Sequence, residues 1–427
     1  MNTLASRSLP SPLEAAVGCF AATVRAASPS ARETRAARQI GQLLDSLSGG
    51  QVTLILPDGA ASRHGLPATS EREIVLAVHD WTVFTEIIAR GDIGFGESFL
   101  DGRWHSNDLS GLLTLLNRNR DALRRALYGR WLPLLAERVR HACNANSRRG
   151  SRRNVTAHYD LGNEFYQQWL DPTMSYSSAL FADSAATLED AQLAKYRRIV
   201  RSLDIRAGER VLEIGCGWGG FAEVAAREAG ARVTGITLSP AQLAFARQRM
   251  TALGLEESVE LLLCDYRDVA ARYAPFDHIV SIEMFEAVGE AWWPAYFRTL
   301  ARCLKPHGRA LVQTIVIADH LFANYRRGTD FIQRYVFPGG MLPSPAAFST
   351  QAGRAGLAID QSLAFGPDYA QTLARWQENF NARWDAIAAR GFDERFCRLW
   401  NFYLSYCQAG FATGSTDVVQ YRLQHAR

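Results

Sequence analysis

The sequence has no closely paired cysteines and no long uninterrupted hydrophobic run. Its seven cysteines, in 427 residues, include no Cys-x-x-Cys pair. This argues against a disulfide scaffold or a zinc ribbon, so we expect no metal and a reducing compartment. The apolar stretch 13–27 is interrupted by Glu14 and Arg25, is too short to cross a bilayer and lacks the pattern of a secretion signal. We therefore expect a cytoplasmic protein whose membrane contact, if any, is peripheral.

The chain also lacks a strong overall charge, but its charge is unevenly distributed. The net charge is +4, whereas residues 118–153 contain eleven arginines against two acidic residues, a local charge of +9. Leucines and Trp131 recur between these arginines at roughly helical spacing. A basic amphipathic segment of this kind is typical of contact with anionic lipid. Nucleic acid is a rival partner, and a solvated helix face is the plain alternative.

Composition and turn signals predict four segments. Residues 1–37, rich in Ala, Ser and Arg, are expected to be loosely ordered. Residues 38–116 form a small α+β unit, with a helix over 82–89 followed by a glycine-rich loop over 91–96. Residues 117–153 form a basic helical linker to the second unit, 154–427.

The second unit alternates strands and helices. Apolar runs predict strands at 211–214, 232–237, 259–264, 278–282 and 309–317, with helical patterns after the first two. This βαβαβ order predicts an α/β fold whose parallel sheet is covered by helices on both faces. Ligands of such sheets bind beyond the carboxyl ends of the strands.

A glycine-rich loop follows the first of these strands. Gly215, Gly217 and Gly220 satisfy the dinucleotide spacing, but an NAD site expects an acidic residue about twenty positions later. That position is Thr237. The pattern Glu-x-Gly-x-Gly-x-Gly, which begins at Glu213, instead resembles the loop of class I S-adenosylmethionine (SAM)-dependent methyltransferases. Asp265, at the end of the third strand, is then placed to accept a hydrogen bond from an adenine amino group.

Longer stretches resemble one family of that class. His-Tyr-Asp-Leu-Gly-Asn-Glu-Phe-Tyr at 158–166, the continuation to Ser177, Met-Phe-Glu at 284–286 and Tyr-Val-Phe-Pro-Gly-Gly at 335–340 resemble the cyclopropane fatty acid synthases and the related mycolic acid methyltransferases. The resemblance covers roughly residues 40–425. It implies the class I methyltransferase fold, a Rossmann-like mixed seven-stranded sheet, with a smaller N-terminal α+β domain for lipid access and dimer formation.

The resemblance also implies site residues. Those implied to hold SAM are Tyr176, Ser177, Glu213, Gly215, Cys216, Gly217, Gly219, Thr237, Leu238, Gln242, Asp265 and Tyr266. The family uses a bicarbonate ion as base beside the transferable methyl group, and the matching positions are Ser178, Glu286, Gln313, Ile315 and Tyr369. Cys407 matches an active-site cysteine of the family, although the chemistry needs no thiolate and a small buried side chain is an equal interpretation.

Two positions depart from the family. Ser178 stands where cysteine is common, and Gln313 where histidine is common. Residue 178 and Ile315 are expected to act through backbone N–H groups, and an amide at 313 still donates a hydrogen bond without carrying charge. The departures therefore leave anion binding possible and put the product in question.

The function expected from the resemblance is methyl transfer from SAM to the double bond of unsaturated acyl chains of membrane phospholipids, with closure of a cyclopropane ring. The first alternative is the same chemistry ending in a methylene or methyl-branched chain. The others are a non-catalytic lipid-binding or transfer protein and a methyltransferase of soluble small molecules. The expected partners are acyl chains, anionic lipid at 118–153 and a second copy in a homodimer, but no nucleic acid.

Overall fold

The structure, a computed structural model, describes residues 28–66, 73–127, 161–183, 186–273 and 275–426. The chain divides into two units, Met1–Trp131 and Leu132–Arg427. Most of the basic segment 118–153 lies outside the described residues, as do residues 1–27 and the predicted family match at 158–160.

The N-terminal unit is an α+β arrangement. Its elements are α1 (Ala31–Asp45), β1 (Val52–Ile55), β2 (Ala61–His64), β3 (Ile74–Val78), α2 (Thr82–Leu100), β4 (Trp104–Ser106), α3 (Leu109–Arg118) and α4 (Arg120–Leu127). Within the described residues the strands form a sheet of order β2-β1-β3-β4, in which only β1 and β3 are parallel. A capping box between Ser30 and Glu33 starts α1, so residues 31–37 are helical rather than loosely ordered.

The predicted glycine-rich loop at 91–96 is wrong, because α2 continues through it. Gly91 has a φ of 59° and kinks the helix. A Cβ on Gly94 would lie 2.3 Å from the backbone oxygen of Glu86. These glycines therefore permit a kink and a close backbone approach inside a helix.

The C-terminal unit contains the larger sheet. Its strands are β5 (Arg210–Ile214), β6 (Arg232–Thr237), β7 (Val259–Leu263), β8 (Phe276–Ile282), β9 (Leu304–Ile317), β10 (Leu357–Ala364) and β11 (Thr416–His425). Its α-helices are α5 (Asn163–Tyr166), α6 (Leu188–Leu203), α7 (Gly220–Ala229), α8 (Pro240–Ala252), α9 (Tyr266–Arg272), α10 (Trp293–Cys303), α11 (Asp319–Tyr325), α12 (Phe331–Tyr335), α13 (Pro345–Arg354), α14 (Gly366–Ala382), α15 (Trp384–Ala388) and α16 (Glu394–Ala412).

The described strands of this unit form one mixed seven-stranded sheet of order β10-β11-β9-β8-β5-β6-β7. The five strands from β5 to β9 are parallel, and β11 runs antiparallel to β9 and β10. The α/β fold with a mixed seven-stranded sheet is thus confirmed. The strand order reverses between β5 and β8, which is where such sheets bind ligands.

Apolar side chains cover both faces of this sheet. One core joins it to α6, α7 and α8 through residues such as Ile199, Phe221 and Met250. The other joins it to α9, α10 and α13 through residues such as Phe297 and Phe348. A third cluster, rich in aromatic rings, lies among α5, α14 and α16. In the part of the chain that the structure describes, no helix is long and apolar enough to cross a membrane.

Candidate active site

The glycine loop lies at the switch point of the sheet. Strand β5 ends at Ile214, and Gly215, Gly217 and Gly219 follow with φ angles of 86°, 51° and 84° before α7 begins. The backbone N–H groups of Gly215 and Cys216 both donate to the carbonyl of Ile236 on β6. Only glycine adopts such angles freely, so the sequence turns sharply here and leaves backbone beside the strand ends.

A pocket opens beyond the carboxyl ends of β5, β6, β7 and β8. It is lined by nearly all the residues predicted to hold the cofactor: Tyr176, Ser177, Glu213, Gly215, Cys216, Gly217, Thr237, Leu238, Gln242, Asp265 and Tyr266. Gly219 is not in the lining, since a Cβ there would face Met250 and Ala246 of α8. With that exception, the residues predicted to hold SAM lie around one cavity. That they bind SAM stays a prediction.

The pocket chemistry fits the methionine part of SAM. Glu213 is buried on the pocket wall, and its Oε2 has no hydrogen-bond partner among the described residues. Burial raises the pKa of this carboxyl well above its usual range, and a cationic partner would offset that effect. A Cβ on Gly217 would meet nothing within 4 Å. The amino acid end of SAM has an amino group that could lie opposite Glu213, and it needs the free space over the glycine loop.

The far end of the pocket carries the ribose and adenine residues of the prediction. Thr237 Oγ1 donates to Gln242 Oε1 at 3.1 Å. The Asp265 carboxylate accepts from Arg267 Nε at 2.8 Å and from Arg267 Nη2 at 2.5 Å. Arg267 also lines the pocket and lies 5.1 Å from the ring of Trp292. The sequence analysis did not find Arg267, and its position two residues after Asp265 was the available signal.

The segment that covers the pocket is tied to the helices beneath it. Tyr176 and Tyr403 share a hydrogen bond of 2.8 Å between their hydroxyls. The hydroxyl of Ser177 accepts from Lys195 Nζ at 2.6 Å, and Lys195 also donates to Gln192 Oε1 at 2.5 Å. Lys195 is fully buried on α6. Burial lowers its pKa to about 8, and Glu283, Asp171 and Glu213 oppose that shift.

Three of the five residues predicted to hold bicarbonate donate hydrogen bonds to a side chain that the sequence analysis missed. The backbone N–H of Ser178 donates to Glu283 Oε1 at 2.8 Å, and Gln313 Nε2 donates to the same oxygen at 2.7 Å. The Tyr369 hydroxyl donates to Glu283 Oε2 at 2.6 Å. Glu283 lines the pocket directly after β8. Its position at a strand end was a usable signal, whereas the family resemblance points to Glu286, three residues later.

Glu286 lies next to this group in a different environment. It is in a short 3-10 helix, Phe285–Ala287, and its Oε1 accepts from the backbone N–H of Ile315 at 2.5 Å. Its Oε2 is buried without a partner in the described residues. Burial, followed by the charge of Glu283, raises the pKa of Glu286 to about 8. The shift favours the protonated form of this carboxyl group at neutral pH.

Cys407 is not brought to the pocket. It lies on α16 at the edge of the aromatic cluster, and burial raises the pKa of its thiol. A thiol in such surroundings remains protonated and is a poor nucleophile. Its catalytic role stays a prediction.

Aromatic rings adjoin the pocket through Tyr176. Its ring centroid lies 5.4 Å from Tyr166, 5.6 Å from Trp169 and 5.3 Å from Trp376. Phe165, Tyr335 and Phe337 also belong to this cluster. Phe285, in contrast, packs in the core beneath the sheet with Trp293 and Phe348. The electron-rich ring faces can attract positive charge.

Comparison with known proteins gives the family. The family model described as mycolic acid cyclopropane synthetase matches residues 146–421. The chain belongs to this family. As its relatives imply, it is a class I SAM-dependent methyltransferase of the cyclopropane-fatty-acyl-phospholipid synthase type, which acts on fatty acyl chains.

Relatives match most of the chain. A tuberculostearic acid methyltransferase of Mycobacterium tuberculosis is 40% identical over 380 residues, covering 87% of this chain and 87% of the relative. The cyclopropane-fatty-acyl-phospholipid synthase of Escherichia coli is 35% identical over 355 residues, covering 82% of this chain and 87% of that enzyme.

Solved structures agree with the fold. The cyclopropane synthase MmaA2 of Mycobacterium tuberculosis has a TM-score of 0.59 and 30% identity, covering 64% of this chain and 97% of that one. A mycolic acid cyclopropane synthase complexed with SAH and CTAB has a TM-score of 0.60 and 32% identity, covering 64% of this chain and 98% of that one. SAM is therefore the cofactor that this family member is built to use.

Proposed function

We propose that this family member transfers a methyl group from SAM to the double bond of an unsaturated phospholipid acyl chain and closes a cyclopropane ring. The observation that carries the proposal is the pocket at the sheet's switch point, which joins the cofactor residues to the Glu283 carboxylate. The membership of the chain in an acyl-modifying family supports it further.

The pocket residues divide the work of binding. Glu213 would hold the amino group of the cofactor, and the glycine loop would lie against its methionine part. Thr237, Gln242 and Asp265 would hold its nucleoside. When bound, SAM supplies an electrophilic methyl group. Lys195 fixes Ser177 in the covering segment and adds a positive charge behind the acidic groups. These residues bind and orient the cofactor but take no part in bond making.

The acyl side of the site must tolerate a cation. An alkene that receives a methyl group becomes positively charged, and water would capture that charge. The aromatic rings around Tyr176 and the Glu283 carboxylate provide an environment that stabilises positive charge without water. This supports a hydrocarbon substrate over a soluble polar one.

Bicarbonate, which the resemblance implies as the base, is not part of this proposal. Ser178, Gln313 and Tyr369 donate to Glu283, and Ile315 donates to Glu286. The groups expected to bind an external anion are thus already engaged by two carboxyl groups of the chain itself.

A second product, a methylene or methyl-branched chain, is favoured by two observations. Gln313 replaces the common histidine, and the chain is 40% identical to a protein named as a tuberculostearic acid methyltransferase. This product needs the same methyl transfer, but the proton is lost without ring closure. A saturated branch would need a separate reductant.

Purified protein incubated with vesicles of monounsaturated phospholipid and methyl-labelled SAM tests the proposal. We expect the acyl chains to gain one labelled CH2. Ring protons in the NMR spectrum identify a cyclopropane, whereas uptake of hydrogen on catalytic hydrogenation identifies a methylene chain. Binding of lipid without any label transfer would support the lipid-binding alternative and overturn the proposal.

A further inference from the structure

We infer that Glu283 is the built-in base of the reaction, a carboxylate of the chain that takes the place of an external bicarbonate. This inference rests on the proposed function and deepens it. A carboxylate and a bicarbonate ion are both planar anions in which two oxygens share one negative charge, and the third oxygen of bicarbonate carries its proton. A site built to hold one can therefore be satisfied by the other.

The first support is the set of donors around Glu283. Ser178 N–H, Gln313 Nε2 and the Tyr369 hydroxyl, here called the donor cradle, come from three separate parts of the unit and meet on one carboxylate at 2.6 to 2.8 Å. Oε1 accepts two of these hydrogen bonds and Oε2 accepts one. A carboxylate oxygen has two lone pairs, so Oε2 keeps one for a proton from the substrate.

The second support is that Gln313 is held as a donor. Its Oε1 accepts from Gln420 Nε2 at 2.9 Å, and Gln420 Oε1 in turn accepts from Arg198. Arginine has no acceptor and remains charged, so it fixes the orientation of both amides along this chain. The Nε2 of Gln313 must then face Glu283. This relay makes a neutral amide suitable where the family commonly has histidine.

The third support is the backbone at Glu283. Its φ angle is 48°, in the left-handed region that residues with side chains seldom adopt. Its N–H donates to the carbonyl of Gln313 at 2.8 Å, which joins the end of β8 to β9. A glycine would adopt this conformation without strain. Glu283 thus combines a strained backbone with a carboxylate that accepts hydrogen bonds from three donors. This combination is more typical of a functional side chain than of a structural one.

The proton balance is complete within these residues. After the alkene has gained the methyl group, a C–H bond of the added carbon breaks and its electron pair closes the ring. The proton moves to Glu283 Oε2, and the neutral acid releases it to water when the product has left. Burial raises the pKa of Glu283, and the hydrogen bond from Tyr369 and the charge of Lys195 oppose that shift. Both favour the charged form that begins the cycle, and a raised pKa makes the carboxylate a stronger base.

The experiment compares the dependence of the rate on bicarbonate in wild type, Glu283→Gly, Glu283→Gln and the control Glu257→Gln. Glu257 is an exposed glutamate outside the pocket lining. Each protein is assayed with unsaturated vesicles in carbon dioxide-free buffer and again with added bicarbonate. Binding of SAH and of bicarbonate is measured by calorimetry on the same samples, which gives a readout independent of turnover.

We expect wild type and Glu257→Gln to work at full rate without bicarbonate and to bind none. Glu283→Gly should lose about 100-fold or more in rate, the usual contribution of a general base, and keep its SAH affinity. Added bicarbonate should bind to this variant and raise its rate at least about tenfold. Glu283→Gln should be equally slow and should not recover, because its amide still fills the donor cradle.

Two results would overturn the inference. The first is a wild type that methylates lipid but needs bicarbonate, and the second is a Glu283→Gln variant as fast as wild type. If Glu283→Gly does not fold, wild type and Glu283→Gln still decide between these outcomes. A wild type that methylates no unsaturated lipid under either condition would instead overturn the proposed function, and this inference with it.

Discussion

At the scale of single residues, the site depends on two glutamates that are three positions apart and have different surroundings. Glu283 accepts hydrogen bonds from Ser178, Gln313 and Tyr369, whereas Glu286 accepts one from Ile315 and leaves Oε2 without a partner in the described structure. Donors stabilise the charged form of a carboxyl group, and burial without donors stabilises the neutral form. Burial raises the pKa of both carboxyl groups, and the charge of Glu283 raises that of Glu286 further. A single negative charge on the pair is therefore held more readily by Glu283 than by Glu286.

Glu286→Gln should make the protein more stable at alkaline pH. Burial raises the pKa of Glu286 to about 8 from an ordinary 4.5. Between these values the folded state holds a proton that the unfolded chain releases, so the free energy of unfolding falls as pH rises through this window. The loss approaches about 1.4 kcal/mol per pH unit at most. A glutamine side chain does not titrate and so avoids this loss. Urea unfolding should therefore show the free energy of unfolding of the variant, relative to wild type, increasing from about pH 5 to about pH 8.

The control for this prediction is Glu257→Gln, whose side chain is exposed and whose effect on stability should not change with pH. A difference between Glu286→Gln and wild type that stays constant across the window would contradict the neutral state assigned to Glu286.

The sequence predicted the residues that line the pocket better than it predicted the surroundings of the buried glutamates, and the reason is physical. The glycine loop and Asp265 belong to local patterns at strand ends, which a reader can place from spacing alone. Glu283 acts through groups from distant parts of the chain, and only the fold brings Ser178 and Tyr369 to it. Lys195 gave no signal, because a lysine in a helix is normally exposed and this one is buried.

At the scale of elements, strands were easier to predict than helix continuity. The five parallel strands were found from apolar runs, because a strand covered on both faces needs an unbroken apolar stretch. Helix α2 was cut short at Gly91, since glycine usually ends a helix. The close packing between Gly94 and the Glu86 carbonyl depends on the kinked backbone and leaves no signal in the sequence.

The turn between β5 and α7 gives a prediction that separates folding from cofactor binding. Gly215 has a φ of 86°, and Gly215→Ala would add a Cβ 2.9 Å from Met284 Cγ. We expect the free energy of unfolding to fall by well over the roughly 1 to 2 kcal/mol that left-handed strain alone costs. Gly217→Ala adds only that strain, because nothing lies within 4 Å. Its new methyl group enters the pocket, however, so SAH affinity measured by calorimetry should fall at least about tenfold.

Gly254→Ala is the matched control for this pair. Gly254 has a φ of 66°, also has nothing within 4 Å, and lies outside the pocket lining. It should lose a similar amount of stability to Gly217→Ala in urea unfolding and keep its SAH affinity. Equal affinities for the two variants would mean that the open space over Gly217 does not hold the cofactor.

At the scale of the whole molecule, the proposed substrate is in a membrane, while the chain carries only a small net charge. The arginines at 118–153 give this segment a charge of +9 against +4 for the entire protein, so the remainder is acidic. Anionic lipid attracts a basic segment with about 1 kcal/mol for each cationic residue near the surface. We therefore predict that the chain sediments with vesicles containing phosphatidylglycerol, and that salt releases it because it screens this attraction.

Replacement of Arg148, Arg149, Arg152 and Arg153 by Gln should weaken vesicle binding about tenfold or more. The control replaces Arg232, Arg298, Arg302 and Arg354, which are exposed on the C-terminal unit, and so removes the same charge elsewhere. If binding depends on net charge alone, both variants will lose it equally, and the segment has no special part. If only the first variant loses binding, and methylates micellar lipid normally, the segment delivers the enzyme to its substrate without acting in the pocket.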